Sequence, residues 1–282
     1  MIGDDVRFGD DLQHILTADP ELLEGDRALA AEELGIRKHA FRHQTDLILP
    51  WFRLFRLHFQ GLSNLRTEGR QVEPELHVSH QLWVHLLSYA VGSARLSFES
   101  AISGYYAQSY TMTRSVFEAF LIWKFTERFP DHAKRWFIGE SGEPPNPWRT
   151  PKIIDKLHGG DDPLVEAVIG TYHRIKSMAH PSENVLQQSV TFDEGVFQIG
   201  PNYIPDQSTS TLYEGARAFS FVLRLLDVLG TQPSEWKATL DEVGDDLSRA
   251  QLRHGERIRE FGSRSNRGDE WIVQRREEDD VQ

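Results

Sequence analysis

The stretch that decides the fold is YYAQSYTMTRSVFEAFLIWKFTER, residues 105–128. When successive residues are placed 100° apart on a helix, its large apolar side chains cover most of the circumference. They include Tyr110, Phe117, Phe120 and Trp123. Because a helix that is apolar nearly all round is buried, the sequence predicts one central helix with other elements packed around it.

Helical periodicity continues on both sides of this segment. The predicted helices are two over residues 26–60, broken or kinked at Pro50, and single helices over about 75–103, 162–179, 209–229 and 234–260. The segment 139–161 is rich in Gly and Pro and is typical of a loop, with one helical turn near 152–157. The run SVTFDEGVFQIG favours a β-hairpin near 188–200. The predicted fold class is therefore mainly all-α, a single helical bundle over 26–261 with a small β-hairpin insert.

The two ends of the chain are more charged than its centre. Residues 1–25 form an acidic segment that we expect to be partly ordered, and residues 262–282 a charged tail that we expect to be flexible. No apolar run reaches the roughly 18–20 residues that span a bilayer, and the acidic start is unlike a signal peptide. We therefore expect a cytoplasmic protein with no membrane association.

Composition excludes several kinds of site. The 282 residues contain no Cys, which excludes disulfides, thiolate zinc sites and a Cys nucleophile. The net charge of −12 argues against a protein that coats nucleic acid non-specifically. No Gly-rich phosphate loop and no Gly-x-Ser-x-Gly turn is present.

One basic and aromatic segment, WFRLFRLHFQ at 51–60, interrupts this acidic background. Arg53 and Arg56 alternate with aromatic side chains, a pattern that could lie on an anionic membrane or stack on nucleic-acid bases. Aromatic residues at helical spacing are more typical of a core, and we favour that interpretation here; they are Trp51, Phe52, Phe55 and Phe59.

The helix that ends before Pro181 carries the main candidate site. Its core face is predicted to hold Val165, Val168, Tyr172, Ile175 and Ala179. A second stripe holds His173, Lys176, Ser177 and His180, with Arg174 beyond it. Imidazole, ammonium and hydroxyl groups on one stripe suit an anion; the alternative is an ordinary solvated helix face.

The spacing of Arg174 and His180 resembles the R-x(4–6)-H pattern of HEPN domains. That resemblance implies an all-helical, metal-independent endoribonuclease of a bacterial toxin or phage-defence system, without a cofactor and acting on RNA. His180 would be the general acid or base and Arg174 the phosphate clamp, assisted by Lys176 and Ser177. Sites of that kind commonly form across a dimer, so the resemblance also implies a homo-oligomer. Five other Arg/His pairs in the chain fit the same spacing.

A second resemblance covers residues 80–230. Arg114 and Glu118, followed by Ser177, His180 and Pro181, resemble a family of uncharacterised bacterial helical proteins with buried Arg-x3-Glu and Ser-x2-His-Pro motifs. The Arg114/Glu118 pair is predicted to be partly buried and therefore paired. Either it fixes helix register, as Arg95/Glu99 would one helix earlier, or Arg114 faces the same cavity as His180 and binds an anion.

Two further interpretations stay open. A helical metalloenzyme would need several histidines to converge with carboxylates, the nearest sets being His39 with His43 and the group His77, His80 and His85. No metal site is predicted, because the acids near these residues do not complete a ligand set. The other alternative is a non-catalytic helical module that senses a ligand or assembles with a protein partner.

Overall fold

A computed structural model describes residues 20–68, 77–133, 150–179, 190–193, 196–199, 201 and 203–264. It is mainly helical, as predicted. The helices, numbered in chain order, are α1 (Pro20–His43), α2 (Thr45–Glu68), α3 (His77–Ile102), α4 (Tyr106–Arg128), α5 (Thr150–Leu157), α6 (Pro163–Ala179), α7 (Pro205–Leu223), α8 (Leu225–Leu229) and α9 (Ser234–Arg264).

Two short strands follow α6. Strand β1 (Val190–Asp193) pairs antiparallel with β2 (Val196–Ile199), with Val190 opposite Ile199 and Asp193 opposite Val196. The rest of the segment predicted as a hairpin insert, near 188–200, lies outside the described residues. The insert as a unit therefore stays a prediction.

Helices α4 and α7 form the centre of the bundle. Helix α4 packs against α3, α5, α6 and α7, and α7 also packs against α2, α3 and α9. Phe117, Phe120 and Leu121 of α4 are fully buried, which confirms the predicted central helix. Helix α7 is buried over an even larger part of its length, including a polar run from Gln207 to Thr211.

Small polar groups let α3, α4 and α7 approach closely. The Ser97 hydroxyl lies 2.7 Å from the Thr113 hydroxyl and 3.1 Å from that of Ser109, so these buried oxygens satisfy one another. A Cβ built on Gly215 of α7 would lie 2.7 Å from Cζ2 of Trp51, closer than the van der Waals radii permit. Ser97 of α3 thus lies at a close contact of three helices.

The break between the first two helices lies at Gln44, six residues before the predicted position at Pro50. Pro50 lies inside α2, near its first turns, where the missing N–H removes only one helical hydrogen bond. Gln44 is buried, donates to the Pro205 carbonyl at 3.1 Å and accepts from the Ser208 hydroxyl at 2.5 Å. Its side chain is therefore fixed to α7, and this long-range contact coincides with the interruption of the helix.

The segment 51–60 only partly enters the core. Trp51 is fully buried and donates from its indole nitrogen to the Leu212 carbonyl at 2.9 Å. Phe55 packs against the core from a half-buried position. Phe52 and Phe59 are 49% and 69% exposed, so the core prediction is wrong for these two rings.

Candidate functional site

Helix α6 begins where the sequence predicts. The Asp162 carboxylate accepts a hydrogen bond from the Leu164 amide at 2.9 Å, which satisfies one of the free N–H groups of the first turn, and Pro163 is the first helical residue. Four of the predicted core residues, Val165, Val168, Tyr172 and Ile175, are buried. The side chain of Ala179, the fifth, is outside the described part of the chain.

Burial of that face turns the candidate residues outward in different directions. Arg174 reaches α7, whereas the exposed His173 faces α5, and Lys176 is half-buried. The side chain of Ser177 and all of His180 and Pro181 lie outside the described residues. The catalytic roles given to His180 and Arg174, and the supporting roles of Lys176 and Ser177, therefore stay predictions.

Arg174 is held by a buried carboxylate. Its Nη2 donates to Oε1 of Glu214, whose side chain is only 2% exposed, while the Arg174 side chain is 44% exposed. Oε2 of Glu214 lies 3.9 Å from Nη1 of Arg217 and makes no hydrogen bond within the described structure. Two cations thus surround one anion, which leaves a local surplus of one positive charge.

Arg217 is itself well oriented. Its Nη1 donates to the Thr171 hydroxyl of α6 at 2.9 Å, and its guanidinium lies 5.4 Å from the centre of the Phe221 ring. This second guanidinium therefore bridges α7 and α6 beside Arg174.

Two tyrosines border this charge cluster. Burial raises the pKa of Tyr213 to about 12, and its hydroxyl donates to the Gln251 side chain of α9 at 2.8 Å. Burial also raises the pKa of Tyr110 on α4, and the negative charge of Glu214 raises it further. The cluster is therefore enclosed by protein on the side of Glu214 and reaches solvent through Arg174 and, in part, Arg217.

The pair predicted on α4 forms a second cluster. Arg114 Nε donates to Glu118 Oε1 at 3.0 Å, and both side chains are about one-quarter exposed. Glu118 Oε1 also accepts from the Tyr172 hydroxyl at 2.9 Å and from Thr150 of α5 at 3.1 Å. Glu118 thus joins α4, α5 and α6, and the Arg114 guanidinium lies 5.9 Å from the centre of the Tyr172 ring.

The predicted pairing of Arg95 with Glu99 is wrong, because Glu99 has a different partner. Glu99 makes its ion pair with Arg37 of α1, at 3.1 Å, and both side chains are exposed. The pair therefore joins two helices at the surface.

A groove of about 400 Å³ lies between α5 and α6. His158 Nδ1 lies 2.9 Å from Glu166 Oε2, and the Gly159 amide donates to the other oxygen of that carboxylate at 2.7 Å. The lining residues are Ile154, Asp155, His158, Glu166, Ile169, Gly170 and His173. His173 thus faces this groove, whereas Arg174 reaches Glu214 on α7.

Sequence analysis did not single out Glu214 and Arg217. A signal was present: Glu214 lies in a helix whose flanking positions Leu212, Phe219 and Val222 are all apolar core residues. A lone carboxylate on a helix of that kind needs a cationic partner. Arg217, three residues later, and Arg174 are the partners that the fold supplies.

Two absences concern the described part of the chain. No group of three or more His, Asp or Glu side chains there could hold a metal ion. No helix there is long and apolar enough to cross a membrane. Comparison with protein-family models, curated proteins and solved structures gives no match.

Proposed function

We propose that the chain is a HEPN-like, metal-independent endoribonuclease of a bacterial toxin or phage-defence system, acting in the cytoplasm. The observation that carries the proposal is the Arg174 guanidinium, anchored on one side by buried Glu214 and exposed on the other. A guanidinium fixed by a buried carboxylate is presented to solvent in a set direction, and its planar charge suits recognition of a phosphate oxygen. We choose this reaction because the chain resembles HEPN domains and the family with Arg-x3-Glu and Ser-x2-His-Pro motifs.

The charge around Arg174 supports an anionic substrate. Within the described residues, the cluster consists of two arginines, Arg174 and Arg217, around the single carboxylate of Glu214, a formal charge of +1. The chain as a whole has a net charge of −12, so this cationic spot contrasts with its surroundings. Local positive potential of this kind raises the concentration of a phosphate at the site.

In the proposed reaction, His180 accepts the proton of a ribose 2′-hydroxyl while that oxygen attacks the adjacent phosphorus. The bond to the 5′-oxygen of the next nucleotide breaks, and that oxygen takes up a proton. The products are a 2′,3′-cyclic phosphate and a free 5′-hydroxyl. Arg174 stabilises the extra negative charge of the pentacoordinate phosphorus, with Lys176 and Ser177 assisting.

The test is cleavage of a labelled, structured RNA by the purified chain in EDTA. We expect His180→Ala and Arg174→Ala each to lower the cleavage rate by at least about 100-fold, the usual magnitude for loss of an acid–base or charge-stabilising group. Arg224→Ala is the matched control, because Arg224 is 47% exposed and also ion-paired, with Asp241 of α9. Equal cleavage by all the proteins, or cleavage by none, contradicts the proposal.

The second candidate is a non-catalytic helical module that binds a ligand or a protein partner. The observation that favours it is the pairing of both candidate arginines, Arg174 with Glu214 and Arg114 with Glu118. Pairs that join α4, α6 and α7 fix the packing of these helices without any substrate. RNA that is retained in a filter-binding assay but never cleaved supports this candidate.

A further inference from the structure

The outward side of α2 carries an apolar stripe that the fold leaves uncovered. Leu49 is 54% exposed, Phe52 49% and Phe59 69%. The exposed positions recur at intervals of three and four residues, so they lie in one straight line along the helix. In chain order the line consists of Thr45, Leu49, Phe52, Arg56, Phe59 and Ser63, and exposed Gln60 lies beside it.

Phe41 of α1 widens this stripe. Its ring is 43% exposed and stacks on that of Phe52, with the ring centres 6.2 Å apart. Scattered exposed apolar side chains are normal, but four of them on one side of two adjoining helices mark an interaction surface.

The order of residues along the stripe is self-complementary. If two copies of α2 pack antiparallel about a two-fold axis near position 54, Leu49 faces Phe59 of the partner subunit and Phe52 faces Arg56 of the partner subunit. Thr45 and Ser63 meet at the two ends. The apolar pair and the cation–aromatic pair each occur twice, as an isologous interface requires.

The composition of the stripe also argues against nucleic acid or a membrane as its partner. The stripe carries one cation, Arg56, and no acidic residue. Nucleic acid and anionic membranes are held by several cations acting together. Along α2 the stripe offers one arginine among three large apolar side chains, and the other exposed cations nearby, Lys38 and Arg42, lie on α1 instead. The stripe is therefore poorly matched to either partner. Arg53, the neighbouring cation, is already bound to Glu242 and Asp246 of α9 at 2.8 and 2.5 Å.

We propose that the exposed stripe of α2 is a homodimer interface in which two copies of this helix pack antiparallel about position 54. The contact runs from Thr45 to Ser63, a length of about 27 Å at the 1.5 Å rise of an α-helix. It is formed by the outer surface of α2 and does not depend on the proposed ribonuclease activity.

Sedimentation of the full chain over about 1–100 µM tests the interface. We expect the wild type to approach twice the 32.4 kDa mass of one chain. Leu49→Glu and Phe59→Arg should each raise the dimer dissociation constant by at least about 100-fold, because each buries an unpaired charge. The double variant should recover to within about tenfold of the wild type, because residue 49 of each copy then pairs with residue 59 of the other.

Leu96→Glu on the outer face of α3 is the matched control, since Leu96 is 56% exposed and lies on a different helix. It should leave the dimer intact. A wild type that stays monomeric at 100 µM overturns the proposal, and so does dissociation by Leu96→Glu without dissociation by Phe59→Arg. Failure of the double variant to recover overturns the antiparallel register. A monomer that binds RNA or anionic vesicles through Phe59 assigns the stripe to those partners instead.

Discussion

Glu214 and Glu118 show how burial changes the contribution of a carboxylate to the stability of the fold. Each is bound by an arginine, but Glu214 is almost fully buried, whereas Glu118 is one-quarter exposed and also accepts hydrogen bonds from Tyr172 and Thr150. Water screens the Arg114–Glu118 ion pair. It does not reach the buried side of Glu214 in the Arg174–Glu214 pair. Glu214 is therefore more dependent on its cations than Glu118 is.

Replacement of each carboxylate by its neutral amide measures this difference. We expect Glu214→Gln to lower the free energy of unfolding by about 2 kcal/mol, because charge-assisted hydrogen bonds become neutral ones in a buried setting. Glu118→Gln should cost about 1 kcal/mol, since its surroundings are partly solvated. Urea denaturation followed by circular dichroism gives both values. A Glu214→Gln protein as stable as the wild type would show that desolvation of the buried charge offsets its ion pairs.

Among the helices, α7 packs against its neighbours through the close approach of its backbone more than through apolar side chains. Its N-terminal half presents serine and threonine hydroxyls to the core, and Gly215 lies against Trp51 and the hydroxyls of Ser97 and Thr113. Small side chains at a helix contact bring the backbones together and gain dispersion energy over the whole interface. Added volume at this point must therefore push the helices apart.

Gly215→Ala tests the contact. The new methyl group would lie 2.7 Å from the Trp51 ring and 3.0 Å from the Ser97 hydroxyl, so we expect a loss of about 1–3 kcal/mol in the free energy of unfolding, the range for overpacked cores. Gly92→Ala on the exposed face of α3 is the control: a Cβ there meets no atom within 4 Å. Helix propensity should make that variant about 0.5–1 kcal/mol more stable. Thermal unfolding of the two proteins should shift in opposite directions.

The spacing of apolar residues predicted most of these helices, because it indicates which side of a helix is buried. The central helix, predicted over 105–128, is Tyr106–Arg128, and the helix predicted over 162–179 is Pro163–Ala179, capped by Asp162. The break at Gln44 was not predictable in the same way. It coincides with hydrogen bonds to α7, more than 160 residues away in the chain.

Only the contacts of the candidate site that lie within one helix could be predicted from the sequence. The partly buried Arg114–Glu118 pair follows from i, i+4 spacing and is confirmed. The partner of Arg174 lies 40 residues away on α7, so local spacing carries no information on it. Phe52 and Phe59 have the helical spacing of core residues, yet it is the packing of α2 on α7 and α9 that turns them outward.

At the scale of the whole molecule, tyrosine hydroxyls connect peripheral helices to the two central ones. Tyr105, at the start of α4, donates to Glu33 of α1 at 2.7 Å, and Tyr213 of α7 donates to Gln251 of α9. Tyr172 joins α6 to Glu118 of α4. Each hydroxyl must stay protonated to donate its hydrogen bond. Ionisation of these groups is therefore coupled to the packing of helices from both ends of the chain.

This coupling predicts how the chain responds to alkaline pH. Burial raises the pKa of Tyr105, Tyr106 and Tyr213 to about 12 and also raises those of Tyr110 and Tyr172. An unfolded tyrosine titrates near 10. The stability that comes from these groups is thus fully present below about pH 10 and is lost as the pH rises through their folded values.

Absorbance at 295 nm should show at most two of the seven tyrosines ionised at pH 11 while the far-ultraviolet circular dichroism is still native. The other five should then ionise together with loss of helix, because each of these hydroxyls is released only when the helices packed around it separate. Chain unfolded in urea should titrate in one step near pH 10. Tyr213→Phe should remove one group from the late phase and leave the early one unchanged. Five or more tyrosines that ionise near pH 10 in a native chain would mean that their hydroxyls are open to water and do not hold the helices together.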